Sequence, residues 1–401
     1  MNDLAQHSTE AETLERKAPV IMQVLPELVT GGVERGTVDV AAAIVEAGWT
    51  SIVVSHGGPM VGELKRTGSL HIEMPVHSKH PWTMHFNANK LAGVAREFGV
   101  DIIHARSRAP AWSALKAAKL SGAHFVTTFH GTYNLGPLKI KRPYNAVMTK
   151  GERVIAISHF IAEHIVREYA IDPSCIRVIQ RGIDLDRFDP NRVSPERMIQ
   201  LTQAWRLPDG YPVILLPARL TRWKGQQILI EAMAKLGRRD VRCLLVGSDQ
   251  GRTDYRQELE TQVEKLGLTD IVHIVGDCSD LPAAYMLTDV VVSASTDPEA
   301  FGRTIVEAQA MGRPVVASDH GGARETVIEG KTGWLFPSGD AEALAQSITS
   351  FLDLPEEIRD KIAGEAMAHA RAHFDKRTMC KKTLAVYAEV LDIAPPWPVN
   401  W

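Results

Sequence analysis

Short apolar runs alternate along this chain with longer stretches whose apolar positions recur at helical spacing. Val20-Ile-Met-Gln-Val-Leu25 is the first run, and Val33 to Ala47 behind it has the period of a helix. Strand-like runs follow at 51–55, 102–105, 125–129 and 154–157, with helix-like stretches such as 88–98 and 109–121 between them. Residues 177–188 close this series. A second series repeats the logic, with strands expected at 213–216, 242–246, 272–275, 290–293, 314–317 and 334–336 and helices at 226–236 and 255–266. Three helical segments, about 340–353, 356–373 and 376–391, finish the chain. Uninterrupted apolar strands interleaved with amphipathic helices predict a mostly parallel sheet covered on both faces.

Two such series predict an α/β fold of two Rossmann-like, doubly wound domains facing across a cleft. The expected division is a disordered tail over 1–19, a first domain over 20–188, a charged and proline-rich linker over 189–212, a second domain over 213–375, and a C-terminal helix and tail over 376–401. Sheets of this kind bind ligands at the carboxyl ends of their strands, and two of them offer a cleft.

Composition narrows the classes. The 401 residues are 45% hydrophobic and 23% charged, enough for two cores, and the net charge of −3 gives no argument for nucleic acid. Residues 1–186 carry +2 and residues 187–401 carry −5, and 11 of the 15 histidines lie in the first half. That mild asymmetry suits an anionic acceptor or a membrane surface. Four scattered cysteines without a CxxC pair fit a reducing cytoplasm and argue against structural zinc. No apolar run approaches the ~18 residues of a spanning helix, so any membrane contact is expected to be peripheral.

The richest stretch is 293–325. A strand leads into a polar loop with Asp297, Pro298 and Glu299, Gly302 admits a turn, and a helix from Arg303 carries Glu307 before Gly312 and Pro314 stop it. Unpartnered amides at a helix start collect anions. An ordinary βα turn with surface acids would show the same spacing. Elsewhere, Gly31-Gly32 follows the first strand but fits neither G-x-G-x-x-G nor a P-loop, because Val33 and Thr37 stand at the deciding positions. His130 follows a strand and faces the expected cleft, whereas His77, His80, His85 and His164 read as surface residues. Arg219, Arg222 and Lys224 gather three cations in one loop before Gly225, as a diphosphate requires. Asp184-Leu-Asp186 imitates a metal motif but reads better as a turn. Asp319-His320-Gly321-Gly322 with Glu325 reads equally as a second amide-lined loop or a plain capped turn. Residues 139–150 carry four cations that could meet an anionic lipid, although a solvated face explains them more simply.

Gly31-Gly32, His130, Arg181-Gly-Ile-Asp184, Arg219 with Lys224-Gly225, Glu299 with Glu307, and Gly312-Arg-Pro-Val with Gly321-Gly322 occur in that order. Together they resemble the retaining GT-B glycosyltransferases of family 4 over about residues 20–390. The stretch from Gly302 to Gly312 is similar to bacterial enzymes of lipopolysaccharide-core and surface-polysaccharide synthesis. The resemblance implies a GT-B fold whose C-terminal helices cross back to the first domain. It implies a nucleotide diphosphate sugar as donor, a glycan or lipid-linked acceptor, and no metal or other cofactor. Arg219 and Lys224 would hold the diphosphate, Glu307 the ribose, and Glu299 the transferred sugar. The backbone of Ala300, Phe301, Gly302, Arg303 and Thr304 would assist Glu299, Gly31 and Gly32 would close over the phosphates, and His130 would contact the sugar. Arg181 replaces the Asn of many relatives, with little effect expected. A sugar-nucleotide epimerase, a phosphorylase and a non-catalytic sensor are the rivals. No pyridoxal-binding lysine site supports a phosphorylase. The base is not legible, with GDP-mannose or a UDP-hexose as guesses.

Overall fold

A computed structural model describes residues 18–399 apart from Thr30 and Arg252, so most of the expected N-terminal tail lies outside the described residues. The first sheet contains β1 (Val20–Val24), β2 (Thr50–Ser55), β3 (Leu70–Glu73), β4 (Ile102–Ala105), β5 (His124–Phe129), β6 (Arg153–Ala156) and β7 (Ile176–Val178). Their order is β3-β2-β1-β4-β5-β6-β7, all parallel. The second contains β8 (Val213–Pro217), β9 (Arg242–Val246), β10 (Val272–Gly276), β11 (Val290–Ser293), β12 (Val315–Ser318) and β13 (Gly333–Phe336), in the parallel order β10-β9-β8-β11-β12-β13. Every residue of β1 and β8 is buried, which is why their sequences are apolar on both faces. Strand β3 was not expected: it lies at a sheet edge, partly exposed along its length, and carries no apolar run.

Each sheet reverses its winding once, between β1 and β4 and between β8 and β11. The crevice of a doubly wound sheet opens at that point, where the connections diverge to opposite faces. In the stretch expected to be a linker, Pro195–Trp205 forms a helix. Arg197 ties it to the second domain through a two-pronged pair with Asp280, Nε to Oδ2 2.8 Å and Nη2 to Oδ1 2.5 Å.

The chain crosses between the domains twice, and the crossings lie against each other. Ile183 donates its amide to the Phe374 carbonyl at 2.8 Å, and Lys376 returns an amide to the Ile183 carbonyl at 3.0 Å. Lys376 Nζ lies 2.7 Å from Asp184 Oδ2, while Asp186 faces Arg192 and Arg377 at 3.2 and 3.3 Å. The Asp184-x-Asp186 pair is therefore occupied in a structural junction. Gly182 is required by close approach, since a Cβ there would sit 2.4 Å from Lys376 Cα. Ile183, Phe188 and Phe374 are fully buried around the junction.

Beyond it, the helix Lys376–Val390 returns to the first domain and packs on the helix Gly32–Glu46. Its Met379, Leu384, Val386 and Tyr387 complete a core with Ile21, Ile44, Ile102, Val126 and Ile155. His164, expected at the surface, is buried as well, beside Tyr169.

Gly182→Ala should force the two crossings apart and lower the unfolding free energy by about 1–3 kcal/mol, the usual cost of overpacking. A urea midpoint equal to that of the parent protein would contradict this account of the junction.

Candidate active site

The loops after β8 and β11 meet at the second sheet's winding reversal. Thr296 donates its amide to the Trp223 carbonyl at 2.8 Å and stitches them together. Lys224 and Glu299, 75 residues apart in sequence, form an ion pair there with side chains only 16% and 15% exposed. Ser295 Oγ donates to the same Glu299 oxygen at 2.7 Å, and the Lys224 ammonium stands 4.2 Å from the Trp223 ring centroid. Arg222 leaves this group: both of its terminal nitrogens bind Glu258, at 2.5 and 2.6 Å, and it covers Tyr255. Arg219 is exposed and has no carboxylate partner among the described residues. Two cations of the three therefore face the crevice.

Gly302 has φ +86°, a left-handed turn that swings the chain from the Glu299 loop into the helix Arg303–Ala310. The first amides of that helix have no intrahelical acceptor. Phe301 turns its ring into the core against Phe374, at 5.5 Å between centroids, so only its main chain faces the crevice. Glu307 is buried, 2.9 Å from Arg303 Nε and 3.3 Å from the Tyr285 hydroxyl, which donates to it. Burial raises the Glu307 carboxyl pKa, against the opposing pull of Arg303 and Arg187.

The loop after β12 joins the domains. Glu325 accepts the amides of His159 and Phe160 at 2.9 and 2.6 Å and so caps the first-domain helix His159–Tyr169. Ser158, at that helix start, donates to the Ala300 carbonyl at 2.6 Å. Gly322 donates its amide to the Glu299 carbonyl at 2.7 Å and fixes the backbone behind the carboxylate.

On the first-domain side, Gly31 precedes and Gly32 begins the helix after β1, with open space above Gly32. Arg181, expected to have little effect, reaches His130. Its Nη2 lies 2.7 Å from His130 Nδ1. A guanidinium can only donate, so Nδ1 accepts and the ring proton resides on Nε2. That Nε2 is buried and has no hydrogen-bond partner. Burial and the nearby Arg181 and Arg106 charges hold His130 well below its ordinary pKa, keeping it a neutral donor. Burial beside Arg106 and Arg303 pulls Arg181 itself down to about 9.

Arg106 is also buried, donates to Gln23 Oε1 at 3.0 Å, and has no carboxylate partner among the described residues. Arg106, Arg181, Tyr285 and Ser295 were not among the expected site residues. Arg106 was findable, because it directly follows β4 much as Arg219 follows β8. Arg181 was hidden inside a turn motif. Behind this layer, His104 bonds Tyr387 at 2.6 Å and Thr128 at 2.7 Å, and burial depresses its pKa strongly.

This arrangement has counterparts among known proteins. The family described as Glycosyltransferase Family 4 matches residues 30–187, and the one described as Glycosyl transferases group 1 matches residues 199–368. The chain is 30% identical to a D-inositol 3-phosphate glycosyltransferase of Xylanimonas cellulosilytica, covering 74% of this chain and 73% of that one. Its structure resembles a glycosyltransferase from Rickettsia africae with TM-score 0.88 and 41% identity over 94% of this chain and 100% of that one. It also resembles Anabaena Alr3699/HepE, solved in complex with UDP and glucose, with TM-score 0.79 and 27% identity over 93% and 99% of the two chains.

The histidines generate a pH prediction. The folded protein holds His104 and His130 neutral, whereas the unfolded chain protonates its histidines below about pH 6.5. The unfolded state then binds more protons, so stability present above pH 6.5 is lost on acidification. Arg181→Met should move the His130 transition up toward 6.5, read from the ring-proton shift by NMR. A transition that stays where it was would exclude the proposed charge coupling.

Proposed function

The chain belongs to the group 1 glycosyl transferases with a family 4 domain at its N-terminal side, and on that premise we propose that it is a retaining, metal-independent hexosyltransferase. In this reading it moves a hexose from a nucleotide diphosphate sugar to a hydroxyl of a glycan or lipid-linked acceptor. The observation that carries the proposal is the convergence of Arg219, Lys224, Glu299 and a helix start at one winding reversal.

Charge develops on the leaving diphosphate as the glycosidic bond breaks. Preorganised cations and amides stabilise it without reorganising during the step. Arg219 and Lys224 supply the cations, and the main chain of Ala300 to Thr304 supplies the donors, with Gly31 and Gly32 approaching from the first domain. Glu307 accepts the ribose hydroxyls from its place beside Arg303. Glu299, anchored by Lys224 and Ser295, orients the sugar hydroxyls, so it acts in positioning rather than as a nucleophile. The Nε2–H of His130 donates to the sugar from the opposite wall. Retention follows when the departing phosphate accepts the acceptor's proton on the face it leaves.

The likeness to a UDP- and glucose-binding neighbour makes UDP-glucose the first donor to test. The acceptor reading draws on the resemblance to enzymes of surface-polysaccharide synthesis and, beside it, on a relative named for inositol 3-phosphate. We place the reaction in the cytoplasm, with a peripheral contact at the inner membrane. No described helix is long and apolar enough to cross a membrane.

Thermal-shift measurements with UDP-, GDP- and ADP-sugars should select one base, because a ligand of the native state raises its melting temperature. With that donor, Lys224→Ala and Glu299→Ala should each lower transfer about a hundredfold or more, in line with the loss of one preorganised charge partner. NMR of the product should show the donor's anomeric configuration. Undiminished turnover in both variants would refute the assignment, and conversion of donor without acceptor would identify an epimerase instead.

A further inference from the structure

The helix Gly32–Glu46 follows β1, and the chain carries glycine at 31, 32 and 36 around its start. None of the three has a left-handed backbone, and Gly31, at φ 177°, is extended as any residue can be. Space distinguishes them instead. A Cβ at Gly36 would collide with Arg181 Nη1 and lie 3.3 Å from Arg106 Nη2. A Cβ at Gly31 would collide with Glu34 Oε2, whereas one at Gly32 would meet nothing within 4 Å. Two guanidinium groups therefore fill the space at Gly36, and a carboxylate fills it at Gly31. Of the three, Gly32 alone is open.

Glu34 is the acidic residue of the helix's first turn, and Gly31 before it supplies no side-chain cap. Its carboxylate folds back over the helix start, where the first amides lack an intrahelical acceptor and the dipole favours negative charge. The neighbouring Arg35 is spent on Glu63. Glu34 itself makes no ion pair among the described residues. Cations of both domains nevertheless act on it. Burial raises its pKa, and its own backbone amide and the Arg181, Arg219 and Arg106 charges oppose that rise. Arg219 belongs to the second domain, so the carboxylate lies in a field that both walls of the cleft create. In the proposed reaction, Arg219 and the Gly31-Gly32 turn receive the donor's diphosphate.

We propose that the Glu34 carboxylate holds the diphosphate's place at this helix start in the empty enzyme and is displaced when the donor binds. The proposal rests on the glycosyltransferase reading above and adds to it a residue that opposes donor binding. A carboxylate and a phosphate cannot share one set of amides, because like charges in contact repel. Rotation about the side-chain torsions of Glu34 lifts its carboxylate off Gly31 and leaves the backbone where it is. The exchange also acts at the end of the reaction. The nucleoside diphosphate left after transfer carries more negative charge than the sugar-capped donor, and the returning carboxylate competes with it. Glu34 thus weakens donor binding and hastens product release.

Glu34→Gln keeps the size of the side chain and removes its charge. Calorimetry on the full chain, with inorganic pyrophosphate and separately with UDP, GDP and ADP, compares the variant with the parent protein. Each anion that binds the parent should bind the variant about tenfold more tightly, the scale of one unit-charge contact near a protein surface. In transfer assays the KM for the donor should fall, and inhibition by the nucleoside diphosphate product should strengthen. Damage to the fold would weaken binding, so a gain in affinity reports the lost charge. If the anions that bind the parent bind the variant no more tightly, displacement is wrong, and the donor reading survives wherever a nucleoside diphosphate is among them. If pyrophosphate binds the variant more tightly while no nucleoside diphosphate binds the parent, displacement stands and the donor reading fails. Binding of no anion to either protein overturns both.

Discussion

Two strands of main chain that exchange hydrogen bonds at Ile183 hold the architecture together. The chain leaves the first domain through residues 179–188 and returns through 374–376, and these segments touch. A single linker would leave two packed domains free to reorient, as modest interdomain contacts usually do. Two crossings that pair in parallel at Ile183 and Asp375 and share an apolar core restrict that freedom. Lys376 and Asp184 add a partly buried pair across the junction. Beyond the junction, Ser158 bonds the Ala300 carbonyl and Glu325 the amides of His159 and Phe160, so loops of both domains are tied together as well.

The electrostatics of the cleft follow from that placement. Arg106 and Arg181 approach from the first domain, Arg219 and Arg303 from the second, and the carboxylates nearby, Glu34 and Asp39, are raised by burial toward their neutral forms. Arg106 and Arg181 are buried without a carboxylate partner among the described residues, and such cations cost free energy. Lys224 and Arg303 differ, because Glu299 and Glu307 pair with them. The cleft thus carries cationic charge that the carboxylates around Arg106 and Arg181 do not pair with. Glu325 works in the opposite sense, spending its charge on the amides of His159 and Phe160 and holding the two walls in register.

Much of the fold was legible because buried parallel strands must be apolar throughout. The runs at β1, β8 and β11 left no other reading, and two series of them implied two domains. Strand β3 escaped because an edge strand has no such obligation, and Pro195–Trp205 escaped because prolines at its flanks suggested a linker while Pro195 merely opens the helix. In the site, the expected residues Lys224 and Glu299 come together because β8 and β11 are neighbours, a fact that strand order carries and local spacing does not. Arg181 shows the limit most clearly. Its motif is explained by backbone geometry at Gly182, and nothing in the sequence says that the side chain before it reaches back 51 residues to His130.

The returning C-terminal helix has a consequence for how the protein is made. Ile21, Ile44 and Ile102 are synthesised before the second domain, but Met379, Leu384, Val386 and Tyr387 that cover them are synthesised only after it. His104 likewise waits for the Tyr387 hydroxyl. The first domain is therefore completed only after the second has been made. Throughout elongation its sheet presents an apolar face and an unsatisfied histidine, the condition under which nascent chains misassemble or engage chaperones.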